Sequence, residues 1–141
     1  MKTFKILFAL LPFFLVFSSC SEDDGPEGNN SETSQLLGKW MYEGLTVNGG
    51  TFEEEPSDAS TIFEFKTGGI LLITYEYEDE EDEEESGTYA VNNNSLTIKI
   101  DGESFTYNIT QLSGTSLRLG AQIDWEDDGV MKNIIFYFTK I

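Results

Sequence analysis

The stretch Leu96-Thr97-Ile98-Lys99-Ile100-Asp101-Gly102-Glu103-Ser104-Phe105-Thr106-Tyr107-Asn108-Ile109-Thr110 is decisive for the fold. Phe105, Tyr107 and Ile109 alternate with Thr106, Asn108 and Thr110, the period of two that puts apolar side chains on one face of a strand and polar ones on the other. Asp101-Gly102 is a dipeptide that accepts positive φ and so suits a two-residue hairpin. Residues 96–100 and 105–110 are therefore predicted to be antiparallel neighbours.

The same grammar extends in both directions, with Gly, Asn, Asp and Ser clusters between short runs. Towards the N-terminus lie strands over 39–47, closed by Asn48-Gly49-Gly50, then 61–65 with Phe63 and Phe65 on one face. Thr67-Gly68-Gly69 turns tightly into 70–77, where Leu71, Ile73, Tyr75 and Tyr77 share a face, and 87–91 meets 96–100 across Asn92-Asn93-Asn94. Towards the C-terminus, Leu117, Leu119, Ala121 and Ile123 line one face of a seventh strand. The eighth, 133–141, carries Ile134, Phe136 and Phe138 on one side and Ile135 and Tyr137 on the other. No segment has an apolar period of 3.6. Short connections make each strand pair with the next, and eight strands in sequence lose both edges by closing on themselves. The expectation is an all-β, eight-stranded, up-and-down antiparallel barrel over residues 36–141.

Composition excludes several functions. Of 141 residues, 26 are Asp or Glu, 8 are Lys or Arg and none is His, for a net charge of −18. Such a polyanion is repelled by nucleic acid, whose affinity for proteins rests on Lys and Arg displacing counterions. The absence of His removes imidazole from acid–base and zinc chemistry. There is no phosphate loop and no serine nucleophile elbow. Carboxylate pairs for glycoside hydrolysis exist by sheer number, which makes any one of them uninformative. Neither a cofactor nor an enzymatic activity is expected.

Residues 1–19 have a basic start at Lys2 and Lys5, an apolar run from Ile6 to Phe17 and then Ser18-Ser19, the three parts of a secretory signal. The run is shorter than the roughly 20 residues that span a bilayer. Cys20 follows at once. It is the only cysteine, so no internal disulfide can use it. Ser21 to Gln35 is rich in acids, Gly, Asn and Ser, the composition of a solvated, flexible tether over 20–35.

Phe17-Ser18-Ser19-Cys20 resembles a bacterial lipobox, although that family usually begins the motif with Leu. The resemblance implies acylation of Cys20, cleavage after Ser19 and a membrane partner reached through the lipid; several chains on one residue anchor far better than one. Ser21-Glu22-Asp23-Asp24 is similar to the acidic export signal of Bacteroidota lipoproteins carried to the outer face of the outer membrane. The implied location is the outer membrane, at the cell surface. Leu37-Gly38-Lys39-Trp40 is similar to the Gly-x-Trp motif that opens lipocalin-like barrels. Residues 61–65 with Gly68-Gly69, then Gly87-Thr88-Tyr89 and Phe138-Thr139-Lys140, resemble the short lipocalin-like lipoproteins of Bacteroidota. The Thr-Asp-Tyr motif of larger lipocalins is absent. The single arginine, Arg118, falls in the seventh strand instead of beyond the eighth, where the family keeps an arginine stacked on its tryptophan. Two readings of Trp40 stand: a ring covered by Arg118 from this new position and, the preferred one, a packed floor residue of the barrel.

Three places carry candidate chemistry. The inward faces offer Trp40, Phe63, Phe65, Ile73, Tyr75, Phe105, Tyr107, Leu117, Leu119, Phe136 and Phe138 as contacts for a small apolar ligand, or as rings that fill the cylinder completely. The run Glu76 to Glu85, nine carboxylates interrupted only by Tyr77, is expected to form the tip of a hairpin. It is read as a solvated loop, with loose collection of divalent cations or docking onto another envelope protein as the alternatives. Asp124, Glu126, Asp128 and Gly129 open like a calcium loop, but Ile135 stands where an EF-hand needs its bidentate Glu. A hairpin turn explains the same residues.

Overall fold

The computed structural model describes residues 30–124 and 126–141. The signal segment, Cys20 and the tether up to residue 29 lie outside the described residues. Helix α1 (Asn30–Leu36) precedes nine strands: β1 (Gly38–Val47), β2 (Phe52–Glu54), β3 (Ala59–Lys66), β4 (Ile70–Tyr77), β5 (Glu83–Asn92), β6 (Ser95–Ile100), β7 (Glu103–Leu112), β8 (Ser116–Ile123) and β9 (Lys132–Lys140). From β3 onward each strand pairs antiparallel with the next, β1 pairs with β3, and β9 returns to β1 from Trp40↔Lys140 to Val47↔Ile134, which closes the sheet.

The closed circuit has eight strands, as the sequence predicts, because β2 and β3 share one lane. β2 lies against Gly44–Thr46 of β1, and β3 against Gly38–Met41. The sequence reading misses β2. All three of its residues are exposed and two are Glu, so only its backbone pairing with β1 makes it a strand.

Two boundaries also differ. Residues 30–35, assigned by composition to the flexible tether, are helical, and Leu36 at the end of α1 is fully buried. β5 begins at Glu83 instead of residue 87, so the acidic run is a tip only over residues 78–82. Glu83, Glu84 and Glu85 pair with Tyr75, Thr74 and Ile73. Directly opposed like charges would oppose a strand there, but β4 offers none.

The ends of the barrel are unlike. At one end are the β3–β4, β5–β6 and β7–β8 turns, with α1 folded against them. Cross-links between turns knit this end: Tyr89 N–H donates to Gly69 O, Ile109 N–H to Asn94 O and Lys140 N–H to Thr115 O. Positive φ at Gly68, Gly69 and Asn93 is what the tight turns need. At the other end are the β1–β2, β4–β5, β6–β7 and β8–β9 connections, with Asp101 and Gly102 both at positive φ as the hairpin dipeptide requires.

A bulge in β1 between Tyr42 and Gly44 resets the alternation. Trp40 and Tyr42 face inward before it and Leu45 after it, opposite Phe136. Without that extra residue the second half of β1 would turn its apolar face to solvent.

Candidate functional site: the barrel interior and its open end

The interior is built in two levels. At the α1 end, Leu36, Trp40, Phe65, Leu71, Leu96 and Leu117 are essentially inaccessible and form one packed cluster with Tyr89, Ile98, Leu119 and Phe138. Trp40 donates its indole N–H to the Leu36 carbonyl at 2.7 Å, satisfying the one polar atom of the ring and tying α1 to the barrel. Tyr89 donates its hydroxyl to Lys66 O at 2.9 Å, and its ring stands edge-on to Phe65. This end is plugged.

Towards the other end the lining is aromatic and only partly buried. Tyr42, Phe63, Tyr75, Tyr107 and Phe136 pack on the buried cluster yet keep contact with solvent. Four of these rings are linked in a chain through buried Phe138: Tyr42–Phe136 at 6.3 Å, Tyr107–Phe136 at 5.9 Å edge-on, Tyr42–Phe138 at 5.5 Å and Phe63–Phe138 at 5.1 Å. These spacings are those of favourable edge-to-face and tilted pairs, so the lining is preorganised.

Carboxylates meet this lining. Glu55 turns in against Thr61, accepting the hydroxyl at 2.5 Å and the backbone N–H at 3.2 Å. Partial burial pushes its pKa up, with the Thr61 bonds opposing the shift. Tyr75 donates its hydroxyl to Glu85 at 3.1 Å. The Tyr42 and Tyr75 phenols are held well above their ordinary range, first by burial and then by neighbouring negative charge from Glu55 and Glu53 for Tyr42 and from Glu85 for Tyr75. Tyr107 is raised by burial alone.

Every interior residue picked from the sequence lies on the inner face. Trp40, Phe65, Ile73, Leu117, Leu119 and Phe138 belong to the buried cluster; Phe63, Tyr75, Tyr107 and Phe136 flank it; and Phe105 sits opposite buried Ile98. The sequence reading does not pick out Leu36, Tyr42, Leu96, Ile98 or Glu55. Strand alternation from Trp40 marks Tyr42, and alternation in β6 marks Leu96 and Ile98. No alternation marks Leu36 or Glu55: the first ends a helix four residues before Trp40, and the second lies between β2 and β3, six residues before Thr61.

The other expectations are corrected or redistributed. Arg118 does not cover Trp40. It points outward over the Tyr137 ring at 5.0 Å, because it alternates with Leu117 and Leu119, which face in. Lys140 takes its place, its ammonium 5.0 Å from the Trp40 ring centroid and bonded to Gln35 O at 3.2 Å. Asp124, Glu126 and Asp128 lie in the β8–β9 connection. Both Asp124 oxygens accept backbone N–H groups, of Asp128 at 3.1 Å and Gly129 at 2.8 Å, Asp128 accepts from Val130 N–H at 2.9 Å, and Glu126 pairs with Lys132. These are turn-forming bonds. Among the described residues no three acids converge to hold a metal ion.

On the outer wall, Gly120 leaves a groove of about 260 Å³ between Thr110 and Ile135, also lined by Asn108, Gln122 and Asn133.

A closed eight-stranded barrel plugged at one end and ringed with aromatic side chains at the other defines a class of architecture, the lipocalin-like barrel. Residues 36–119 match the model of the lipocalin-like domain, and the chain belongs to that family. Among solved structures it is similar to a lipocalin-like protein from Bacteroides uniformis, at 20% identity and TM-score 0.60, with 76% of this chain and 99% of that one covered. An uncharacterized protein from Bacteroides eggerthii is similar at 15% identity and TM-score 0.59, covering 75% and 99%. At these identities the likeness concerns the fold. No curated protein matches the chain.

Proposed function

We propose that the chain is a non-catalytic binding module, lipid-anchored through Cys20 in the outer membrane and facing the cell surface, whose barrel takes a small apolar ligand through its open end. One observation carries the reading. Five aromatic rings on the inner face stay partly exposed to solvent above a floor that Leu36 and Trp40 fill completely. Apolar, partly wetted, preorganised surface in a concave setting is what a small-molecule site requires.

The test is saturable binding of the neutral dye N-phenyl-1-naphthylamine with displacement by decanol. Ala121, opposite Ile134 on the inner face, gives the control: Ala121→Trp narrows the mouth and is expected to abolish dye binding while the far-ultraviolet circular dichroism stays unchanged. Absence of saturable binding to the parent protein rejects the reading. Anchoring is tested separately. Cys20→Ala is expected to move the protein out of the detergent phase, and unchanged partitioning removes the lipoprotein assignment.

A second reading rests on the outer groove at Gly120 and on the acidic hairpin, which together offer a docking face for another envelope protein. Pull-down from native membranes with residues 78–82 neutralised to Asn and Gln, leaving β4 and β5 intact, separates it from the first.

A further inference from the structure

The two ends of the barrel differ in charge as well as in packing. Three of the four connections at the open end carry acids, Glu78 to Asp82 between β4 and β5, Asp101 between β6 and β7, and Asp124 with Glu126 to Asp128 between β8 and β9; the β1–β2 turn carries none, but Glu53 to Glu55 and Asp58 follow it, in β2 and the segment before β3. Together with the strand ends beside them, these hold most of the 26 acidic side chains of the chain. Lys39, Lys66 and Lys140 lie at the plugged end. Two cations lie towards the open end: Lys99, exposed on the outer face next to buried Ile98, and Lys132, already paired with Glu126.

Register places several of these acids on the same sheet face as the lining, at solvent-exposed positions. Directly opposed residues of an antiparallel pair share a face. Glu53 is opposite Leu45, Glu83 opposite Tyr75 and Glu85 opposite Ile73, and those three partners belong to the lining. Glu55 joins them through Thr61, itself opposite Tyr75. An apolar chain entering between the rings therefore leaves its head group among carboxylates and aromatic faces. A barrel end edged by one sign of charge beside apolar, low-dielectric surface raises the local concentration of the opposite ion. Ring faces add attraction for an ammonium group. A carboxylate head meets like charge at the same place.

We propose that the open end selects cationic amphiphiles, an alkyl chain carrying an ammonium head, over fatty acids of the same length. The inference rests on the reading of the barrel mouth as a ligand site and names the class of ligand for it.

The probes are decyltrimethylammonium, decanol and decanoate, each below its micellar concentration, titrated against the full mature protein carrying N-phenyl-1-naphthylamine at pH 7. The expected order is decyltrimethylammonium tightest, decanol between and decanoate weakest, with at least a tenfold gap between the two ions at low salt that narrows in 0.5 M NaCl. Glu53→Gln combined with Glu85→Gln is expected to shrink the gap between the two ions several-fold, with a melt confirming that the variant folds. Equal binding of all three probes, or decanoate tightest, overturns the charge selection while the binding reading stands. If no probe displaces the dye and the dye itself does not saturate, both fall. Decyltrimethylammonium that decanol cannot displace is adsorbed on the outer acids, and that result also overturns the proposal.

Discussion

Trp40 and Leu36 are joined by a buried hydrogen bond of 2.7 Å between the indole N–H and the backbone carbonyl, and this bond fastens the only described helix to the floor of the barrel. Trp40→Phe retains most of the apolar volume but strands the Leu36 carbonyl. A loss of about 1–3 kcal/mol in urea unfolding is expected. Trp40→Ala adds a cavity, and about 3–5 kcal/mol is expected.

Lys140, and not Arg118, supplies the cation over Trp40, while Arg118 lies over Tyr137. Lys140→Met removes both the cation over Trp40 and the bond to Gln35 O, and about 1 kcal/mol of stability is expected to go with it. Arg118→Met, on the outer wall, is expected to leave the Trp40 fluorescence environment unchanged. A change there would restore Arg118 to the tryptophan.

Gly44 sits at the β1 bulge with φ 148°, and a Cβ built there would lie 2.1 Å from the Glu53 carbonyl oxygen. Gly68 also has positive φ but opens onto free space. Gly44→Ala is therefore expected to cost clearly more in thermal unfolding than Gly68→Ala, which pays only the left-handed backbone penalty of about 1–2 kcal/mol. Equal costs would mean that the close approach to β2 is not what fixes the bulge.

The pH dependence has two arms. For Tyr42, Tyr75 and Tyr107 the folded pKa lies above the unfolded value near 10, so the unfolded chain releases these protons first as pH rises. Their contribution to stability is complete below pH 10 and is lost above it. Absorbance titration at 295 nm should show phenols that ionise only as the protein unfolds. Glu55 is also raised, so its contribution is complete below its ordinary value of 4.5 and is lost as pH climbs through the folded value. The melting temperature should therefore gain from this group as pH falls from neutrality towards 4.5, and Glu55→Gln should lose that gain.

Asp124 closes the β8–β9 turn with both oxygens. Asp124→Ala is expected to destabilise by about 1–2 kcal/mol through two lost charge-assisted bonds. Millimolar calcium is expected to leave the melting temperature of the parent protein where it was, and an upward shift of several degrees would reopen the cation reading of this loop.

The sequence alone was enough for the strands whose side chains alternate. Residues 105–110, 70–77 and 117–123 announce both strand and inner face, because a period of two maps directly onto the pleat. The turns were equally legible, since Gly68-Gly69 and Asp101-Gly102 permit a backbone that few other residues adopt. Only the tertiary structure decided the rest. β2 and the start of β5 are strands by virtue of their partners, with no apolar pattern of their own. The tryptophan's cation came from the far end of the chain because closure of β9 on β1 sets Lys140 opposite Trp40. The meeting of Glu55, Glu85 and the tyrosines at the mouth likewise depends on register between distant strands. Local periodicity fixes which face a side chain takes, whereas the neighbours it finds there are set by how the sheet closes.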